Sequence, residues 1–375
     1  MQENKVKDIY NNEKKYHYWV EEVKEYGIEG ISKKNSELII AYVKDMELGK
    51  NIAKGSKRGA RSFTRLNSLR IRLVFMTKLL EERKINDLEK VDIHKISEFF
   101  NDMRTGKIRK IDGGVYRSVA DYAKIFISFW HWLMRVRKKE GINLDEITDD
   151  LDTSRDENSF VYITKEDLDK IMPYFNQDEQ VRILFMYDTI IRSPTELMNI
   201  KVSDFTPDFK ELRIRDETSK TFGRQIKIML CSDELNKYAE RNKFKSDDFM
   251  FVFSAPVFND KLKKVAKQLF GDKVSKGGKR YSDLTMYDFR HSGACYWRTG
   301  AYRSKIDALM YRGGWNNLEM LNYYTKKIGM KDTIEKDDML IEADKHRLEK
   351  EIDLLKKTLG ELMEKSSMAM KVRRR

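Results

Sequence analysis

The residues best suited to chemistry lie between 286 and 327. Tyr287 and Arg290 are three residues apart, a spacing that directs two side chains from one face of a helix toward one target. A Gly-Gly-Trp sequence ends at Trp315, and Tyr324 follows nine residues later. A guanidinium can bind phosphate oxygens through two hydrogen bonds, and a phenol can act as a nucleophile. Each residue alone is ordinary, so the order and spacing indicate the site.

The composition of the chain points to a polyanionic partner. Its 375 residues carry a formal net charge of +13, which is typical of proteins that bind nucleic acid. The longest apolar run, at 125–134, is shorter than the roughly 18 residues that a membrane helix needs. The N-terminus carries charges where a signal peptide would be apolar, and two cysteines suit a reducing compartment. We therefore expect a cytoplasmic protein without a membrane partner.

Several familiar sites are missing from the sequence. The five histidines form no HExxH or other ligand spacing, so we expect no metal and no cofactor. The sequence GKNIAKGSK at 49–57 has five residues between its glycines instead of four and lacks GK[ST], which excludes a phosphate-binding loop. No GxSxG sequence is present, so a serine nucleophile elbow is excluded as well.

The first half of the chain predicts a helical domain. Its apolar residues recur at steps of three and four, as in the stripe Leu66, Leu69, Leu73, Met76 and Leu80. No proline occurs before Pro173. We predict an N-terminal extension over 1–35 and a helical domain over 36–145. The acidic segment that follows predicts a linker over 146–159.

The second half predicts a mixed domain over 160–330. Thr164 and Asp167 have the spacing of a capping box, which opens a helical region reaching about residue 200. Three short apolar segments then predict strands at 211–215, 225–230 and 249–253, and helices resume after 261. The fold class is thus mainly α with a small antiparallel sheet: a helical domain, a mixed α/β domain and a C-terminal heptad helix.

The segment 331–375 predicts a short coiled coil. Apolar residues and one lysine follow a heptad, with spacings of four and three, at Ile341, Lys345, Leu348, Ile352, Leu355, Leu359 and Leu362. Such a short helix is marginal in water, so it must pair with another helix or dock on the protein. Two arrangements remain open: contact between protomers, or a helix folded back on its own protomer.

Two basic runs are candidates for phosphate contacts. Residues 49–80 hold nine lysines or arginines and no acid, and residues 261–280 hold eight against one aspartate. A single run is often only a solvated face, but two runs in different domains favour a clamp that contacts phosphates from two sides. The residues we select as DNA contacts are Lys57, Arg58, Arg61, Arg65, Lys276, Lys279 and Arg280.

The spacing of the site resembles the catalytic box of the tyrosine recombinase (phage integrase) family. There, His-x-x-Arg-His opens a helix, Gly-His or Gly-Trp follows, and the tyrosine nucleophile lies nine residues later. Tyr287, Arg290, Trp315 and Tyr324 hold these places. The family's earlier arginine, on a helix before Glu-Leu-x-x-Leu, and its hairpin lysine match Arg192 and Lys220. The resemblance covers residues 160–327, and the preceding helical domain is similar to the family's core-binding domain.

The resemblance implies a role for each matched residue. Arg192 and Arg290 would grip the non-bridging oxygens of the reacting phosphodiester. Tyr324 would attack and keep the 3′ phosphate, and Lys220 would protonate the leaving 5′ oxygen. Trp315 would pack beside the phosphate and donate its indole N–H. No metal or cofactor takes part in this chemistry.

The resemblance also implies a function and partners. We expect an integrase of a mobile element that cuts and rejoins double-stranded DNA at attachment sites. Its protomers would form a dimer on one site and a tetramer in the synapse. Two alternatives remain: a type IB-like topoisomerase, and a DNA-binding protein of the same fold that has lost catalysis.

The sequence departs from the family pattern at two places. Tyr287 replaces the usual histidine, and a phenol is a weaker proton acceptor than an imidazole at neutral pH. Some integrases of archaeal mobile elements carry this Tyr-x-x-Arg form, so we expect similarity to that branch. Glu196 follows Arg192 by four residues instead of three, and a turn at Pro194 would absorb the difference.

Two neighbouring residues compete for assigned roles. Lys227 is a weaker candidate than Lys220 because it lies within a predicted strand. Tyr323 adjoins Tyr324, and the nine-residue spacing selects the latter.

Overall fold

The computed structural model describes residues 6–52, 59–154, 159–300, 305–319, 321–323 and 351–360. The chain divides into two compact units, unit 1 over Met1–Asn158 and unit 2 over Ser159–Arg375. Described residues of both units are mainly helical, and one two-stranded antiparallel sheet lies in unit 2. This agrees with the predicted fold class. No helix within the described ranges is long and apolar enough to cross a membrane.

Unit 1 is built from helices around an aromatic and aliphatic core. Five α-helices are described: α1 (Asn12–Tyr26), α2 (Lys33–Leu48), α3 (Phe63–Glu82), α4 (Ile93–Thr105) and α5 (Val119–Lys139). The predicted stripe Leu66–Leu80 lies on α3, and each of its five members is at most 1% exposed. Burying one such side chain contributes about 1.5–3 kcal/mol, so this stripe is a main source of the unit's stability.

The boundaries of unit 1 are wider than the sequence predicts. Residues 12–26, which the sequence places in an N-terminal extension, form α1 and bury Tyr16, Trp19 and Val23 in the core of the unit. Ile147 and Leu151, placed in the acidic linker, belong to the same core. Both segments combine charged residues with a few apolar ones at helical or turn spacing, and the apolar ones decide where each segment packs.

Between residues 159 and 319, the described part of unit 2 contains six α-helices and the hairpin. They are α6 (Lys165–Ile171), α7 (Gln177–Thr189), β1 (Glu211–Ile214), β2 (Arg224–Lys227), α8 (Ser232–Asn242), α9 (Ala255–Phe270), α10 (Met286–Thr299) and α11 (Ile306–Gly313). The predicted capping box opens α6, with Thr164 accepting from the Asp167 N–H and Asp167 accepting in return. The predicted helical region to about residue 200 consists of α6 and α7 with short 3₁₀ turns after each.

The hairpin of β1 and β2 confirms two of the three predicted strands. Glu211 pairs with Lys227 and Ile214 with Arg224, which fixes the antiparallel register. The third predicted strand, 249–253, is wrong, because only one isolated bridge forms there, between Lys201 and Phe249. Met250 and Phe251 are fully buried outside any strand, whereas Val252 is 65% exposed, so an apolar run alone did not identify a strand.

Helices α10 and α7 pack closely against each other in unit 2. A Cβ added at Gly293 would lie 2.1 Å from the Tyr187 carbonyl oxygen, so only glycine allows the two helices to approach this closely. At the start of α10, Thr285 and Asp288 form a second capping box. Arg290 is therefore brought beside the chain that leaves α7.

The predicted heptad helix is described only over residues 351–360. These residues are helical, and Ile352, Leu355 and Leu359 are 49–67% exposed. Its other members, Ile341, Lys345, Leu348 and Leu362, lie outside the described residues.

Candidate active site

Arg192 lies on the chain that follows α7, not on a helix as the family pattern predicts. The backbone leaves the helix at Ile190, which has a φ of +47°. The turn at 193–197 contains Pro194, and the Leu197 N–H donates to the Arg192 carbonyl (3.2 Å). The extra residue between Arg192 and Glu196 is accommodated in this turn.

The Arg192 guanidinium makes three polar contacts with the protein. Its Nη1 donates to Glu196 Oε1 at 2.6 Å. Its Nη2 donates to the Gly314 carbonyl at 2.7 Å and to Thr221 Oγ1 at 3.2 Å. The side chain is 13% exposed, so it is less completely buried than its partner Glu196, at 1%.

Glu196 joins Arg192 to a second arginine, Arg224. Arg224 Nη2 lies 2.9 Å from Glu196 Oε2, and both side chains are at most 1% exposed. Burial alone would raise the pKa of Glu196, but the hydrogen bond and charge of Arg224 and the charge of Arg192 together lower it to about 2. Glu196 is thus an ionised buried carboxylate with two cationic partners.

Arg290 lies on α10 and is 1% exposed. Its Nη2 donates to the Gly313 carbonyl at 2.7 Å, and its Nη1 donates to the Ile190 carbonyl. Its guanidinium carbon lies 5.3 Å from the ring centre of Trp315. The tyrosine at the start of the same helix, Tyr287, is 42% exposed.

Three consecutive carbonyls at the end of α11 each accept from a different arginine. Arg312 O accepts from Arg224 Nε (2.9 Å), Gly313 O from Arg290 and Gly314 O from Arg192. The last carbonyls of a helix have no partner within it and carry the negative end of its dipole. The turn after α11 therefore gathers the three guanidiniums at one place.

The two glycines of this turn are required by its geometry. A Cβ at Gly313 would lie 2.7 Å from the Trp315 ring. Gly314 has a φ of +63°, and a Cβ there would lie 2.9 Å from Arg224 Nη1 and 3.2 Å from Arg192 Nη1. The Gly-Gly-Trp sequence thus lets an indole ring fold back and lets two guanidiniums approach the backbone.

Lys220 lies on the connection between β1 and β2 and is exposed. The next residue, Thr221, donates to the Gly314 carbonyl at 2.9 Å and accepts from Arg192. This pair of bonds ties the lysine-bearing connection to the two other site elements. Lys227 is also exposed, but it lies in β2 at the far end of the register, opposite Glu211.

An uncharged imidazole, His291, lies beside the exposed Tyr287. Their ring centres are 4.9 Å apart in an edge-on contact. Burial, with the charges of Arg290 and Lys279, lowers the pKa of His291 to about 3. The imidazole is therefore neutral at pH 7. Its other ring neighbours include Phe160 and Tyr323.

The structure brings together Arg192, Arg290, Trp315 and the connection bearing Lys220. Trp315 is 7% exposed. Tyr324, Lys57 and Arg58 lie outside the described residues. Of the basic candidates that are described, Arg61 and Arg65 belong to unit 1, and Lys276, Lys279 and Arg280 to a loop after α9 in unit 2.

Sequence reasoning missed Arg224, Thr221 and the partnership of Glu196 with both arginines. A signal for Arg224 existed: on β2 it shares a face with Ile226, and both are buried. An arginine at an inward strand position needs a buried partner. The hydroxyl of Thr221 gave no comparable signal.

Metal-ligating atoms come together at one place among the described residues, in unit 1. Atoms of His131, Glu146 and Asp149 lie within 4.8 Å of one another. His131 Nε2 is 2.9 Å from Glu146 Oε2, so a contact between imidazole and carboxylate accounts for the proximity of these two groups. It lies in the other unit from the arginine cluster.

Comparison with known proteins identifies the family of unit 2. Residues 161–329 match the phage integrase family. No curated protein sequence matches the chain.

Three solved structures share the fold. An XerH site-specific recombinase bound to its palindromic difH substrate has a TM-score of 0.54 and 14% identity, over 72% of this chain and 78% of that one. The Tn1549 transposon integrase with circular intermediate DNA has values of 0.55 and 14%, over 78% and 95%. A lambda integrase dimer bound to a COC′ core site has values of 0.55 and 13%, over 84% and 81%. Residues 161–329, within unit 2, are thus a domain of the phage integrase family.

Proposed function

We propose that the chain is a site-specific recombinase that cuts and rejoins double-stranded DNA through a tyrosine linked to a 3′ phosphate, for integration or excision of a mobile element. One observation carries the proposal. Arg192 and Arg290 bind adjacent carbonyls, those of Gly314 and Gly313, and Thr221 ties the Lys220 connection to the same point. Two guanidiniums and the connection that bears Lys220 thus meet at one turn, where one phosphate could be held.

The carbonyls of this turn mark positions that phosphate oxygens could take. A carbonyl is a neutral dipole, whereas a phosphodiester is an anion and forms stronger hydrogen bonds with guanidinium. Arg192 is partly exposed and Arg290 is buried, so we expect Arg192 to meet the phosphate first. Arg290 can then bind the phosphate once its hydrogen bond to the Gly313 carbonyl breaks. Each donor to the transition state is worth about 10²–10³ in rate.

The reaction needs a nucleophile and an acid. Tyr324 forms a bond to phosphorus as the bond to the 5′ oxygen breaks. The phenolic proton of Tyr324 passes to solvent, and Lys220 gives the 5′ oxygen its proton. The bond energy is kept in the phosphotyrosine, so the free 5′ hydroxyl of another strand can reverse the step without ATP. Tyr287 is a weaker proton acceptor at neutral pH than an imidazole, which disfavours a general-base role for it. Its position matches that of the histidine in the family box.

The partner is double-stranded DNA, and we infer that two protomers occupy one site. The lambda integrase relative was solved as a dimer on a core site. Four protomers in a synapse remain an expectation from the resemblance. We place the reaction in the cytoplasm, since the cysteines of the described ranges are free and buried.

The test is covalent capture from a pool of duplexes with randomised sequence, each carrying one nick beside the cleaved position. A nick lets the strand end diffuse away, so the protein stays attached to DNA. The full-length protein should yield an adduct that survives denaturation, and the recovered DNA gives the preferred site.

Two tyrosine variants control the capture. Tyr324→Phe should bind the recovered DNA but form no adduct. Tyr323→Phe should form it normally, because its ring contacts with Phe160 and His291 do not need the hydroxyl. If the full-length protein binds DNA but forms no adduct, the alternative of a DNA-binding protein that has lost catalysis would be favoured. Relaxation of plasmids lacking a site would favour the topoisomerase alternative.

A further inference from the structure

We propose that Arg224 is a positioning residue for DNA cleavage, which acts through Glu196 to hold Arg192 in place for the phosphate. The inference rests on the proposed function. It concerns a buried residue of β2 that no part of the family box includes.

The Arg224 side chain is fully buried, and all three of its guanidinium nitrogens donate hydrogen bonds. Its Nη2 and Nη1 approach the two Glu196 oxygens at 2.9 and 3.3 Å, a bidentate geometry. Its Nε donates to the Arg312 carbonyl at 2.9 Å. Arg224 therefore connects the carboxylate to the turn after α11. A lysine could supply the charge but not these three directed bonds.

Glu196 in turn holds Arg192 at two points. Its Oε1 accepts from Arg192 Nη1, and its Oε2 accepts from the Arg192 backbone N–H at 3.1 Å. Both the guanidinium and the backbone of Arg192 are therefore set by one carboxylate. These two bonds help to fix the orientation of the Arg192 guanidinium.

The ionised form of Glu196 depends on its cationic partners. Burial raises its pKa, and the hydrogen bond and charge of Arg224, followed by the charge of Arg192, bring it down to about 2. Of the other charged groups on neighbouring elements, Arg312 belongs to α11 and Lys220 is exposed on the hairpin connection. Without Arg224, the carboxyl takes up a proton at higher pH, and its grip on Arg192 weakens.

A second arginine of the same hairpin region offers a matched control. Arg215 follows β1, is 18% exposed at its side chain, and pairs with Asp204 at 3.2 Å. It also donates to the Asn199 carbonyl at 2.6 Å. Like Arg224 it forms an ion pair and a carbonyl bond, but its carboxylate partner is Asp204 and not Glu196.

The experiment measures single-turnover cleavage of a nicked duplex recovered by covalent capture, from pH 5 to pH 8. We expect Arg224→Met to slow cleavage about 10- to 100-fold at neutral pH, as displaced catalytic groups do. DNA affinity should change less than the rate. Arg224→Lys should recover part of the loss.

The pH profile separates positioning from structural damage. Glu196 has a depressed pKa in the wild type, so its contribution is present throughout this range. In Arg224→Met the pKa is higher, and cleavage should fall further as the pH drops toward 5. Arg224→Met combined with Glu196→Gln removes the titrating group and should show no such fall. Arg215→Met should keep the wild-type rate and profile.

Three outcomes would overturn the inference. One is a wild-type rate for Arg224→Met. Another is an equal loss for Arg215→Met. The third is a rate loss for Arg224→Met with an unchanged pH profile, which would mean general destabilisation. If the wild-type protein forms no adduct, the proposed function itself fails, and this result is distinct from the other three.

Discussion

Replacing Gly314 by alanine tests whether the turn after α11 sets the positions of the guanidiniums. The residue has a φ of +63°, where an L-residue costs about 1–2 kcal/mol. For a unit of this size, Tm falls by about 2–4 °C for each kcal/mol. We therefore expect a loss of several degrees, measured by thermal unfolding.

The larger effect should fall on cleavage. The added Cβ would lie 2.9 Å from Arg224 Nη1, about half an ångström inside ordinary contact distance, and 3.2 Å from Arg192 Nη1. Neither guanidinium can move far without breaking its bonds to Glu196. Since a misplacement of about 1 Å can cost 10²-fold in rate, we expect cleavage to slow by about tenfold. Single-turnover cleavage of the captured nicked duplex measures it.

Gly271→Ala is the control for backbone strain. Gly271 also has a φ of +63°, with a ψ of −146°, and no atom lies within 4 Å of an added Cβ. Its alanine variant should lose at least as much stability and still cleave DNA normally. A wild-type rate for Gly314→Ala, or equal slowing of both variants, would refute the idea that this glycine sets the guanidiniums.

Three further predictions concern the acid, the packing and the basic loop. Lys220→Ala should lose cleavage of ordinary DNA but regain it on a substrate with a 5′-bridging sulfur, because a thiolate leaves without a proton; absence of rescue removes the lysine from this role. Gly293→Ala should destabilise unit 2 by about 1–3 kcal/mol in denaturant unfolding, since the methyl must part α10 from Tyr187. Neutralising Lys276, Lys279 and Arg280 together should make DNA affinity less dependent on salt concentration. An unchanged salt dependence would mean that these residues only face solvent.

Local patterns were the parts of the fold that the sequence predicted well. The stripe on α3 and the box that opens α6 each depend on residues a few positions apart, so their chemistry is visible in one short segment. The strand at 249–253 was predicted from apolar content alone, which burial by helices satisfies equally well. α1 was overlooked because its three buried residues stand among many charges.

The sequence indicated residues that lie close together, but not the bonds between them. The family resemblance selected Arg192, Arg290 and Trp315, and the structure brings these three together. The carboxylate link between Arg192 and Arg224 was not foreseen, because Glu196 and Arg224 are 28 residues apart and meet only through tertiary packing. Nor did spacing reveal that Arg290 would be buried against carbonyls.

The arginine cluster also has a thermodynamic consequence for the protein without DNA. Among the described residues, four buried or nearly buried guanidiniums accompany two carboxylates, namely Arg192, Arg224, Arg290 and Arg312 with Glu196 and Asp188. Confining this excess of positive charge disfavours folding. An anion that binds only the folded chain adds stability, about 2.7 kcal/mol at one hundred times its Kd.

Under the proposed function, folding and DNA occupancy are therefore linked. The free protein is the less stable form, and a change of one or two kcal/mol can alter abundance in a cell several-fold. Copies seated on a site would outlast copies in solution, because proteases act on the unfolded fraction. The charge that serves the reaction would thereby also limit how much unoccupied recombinase persists.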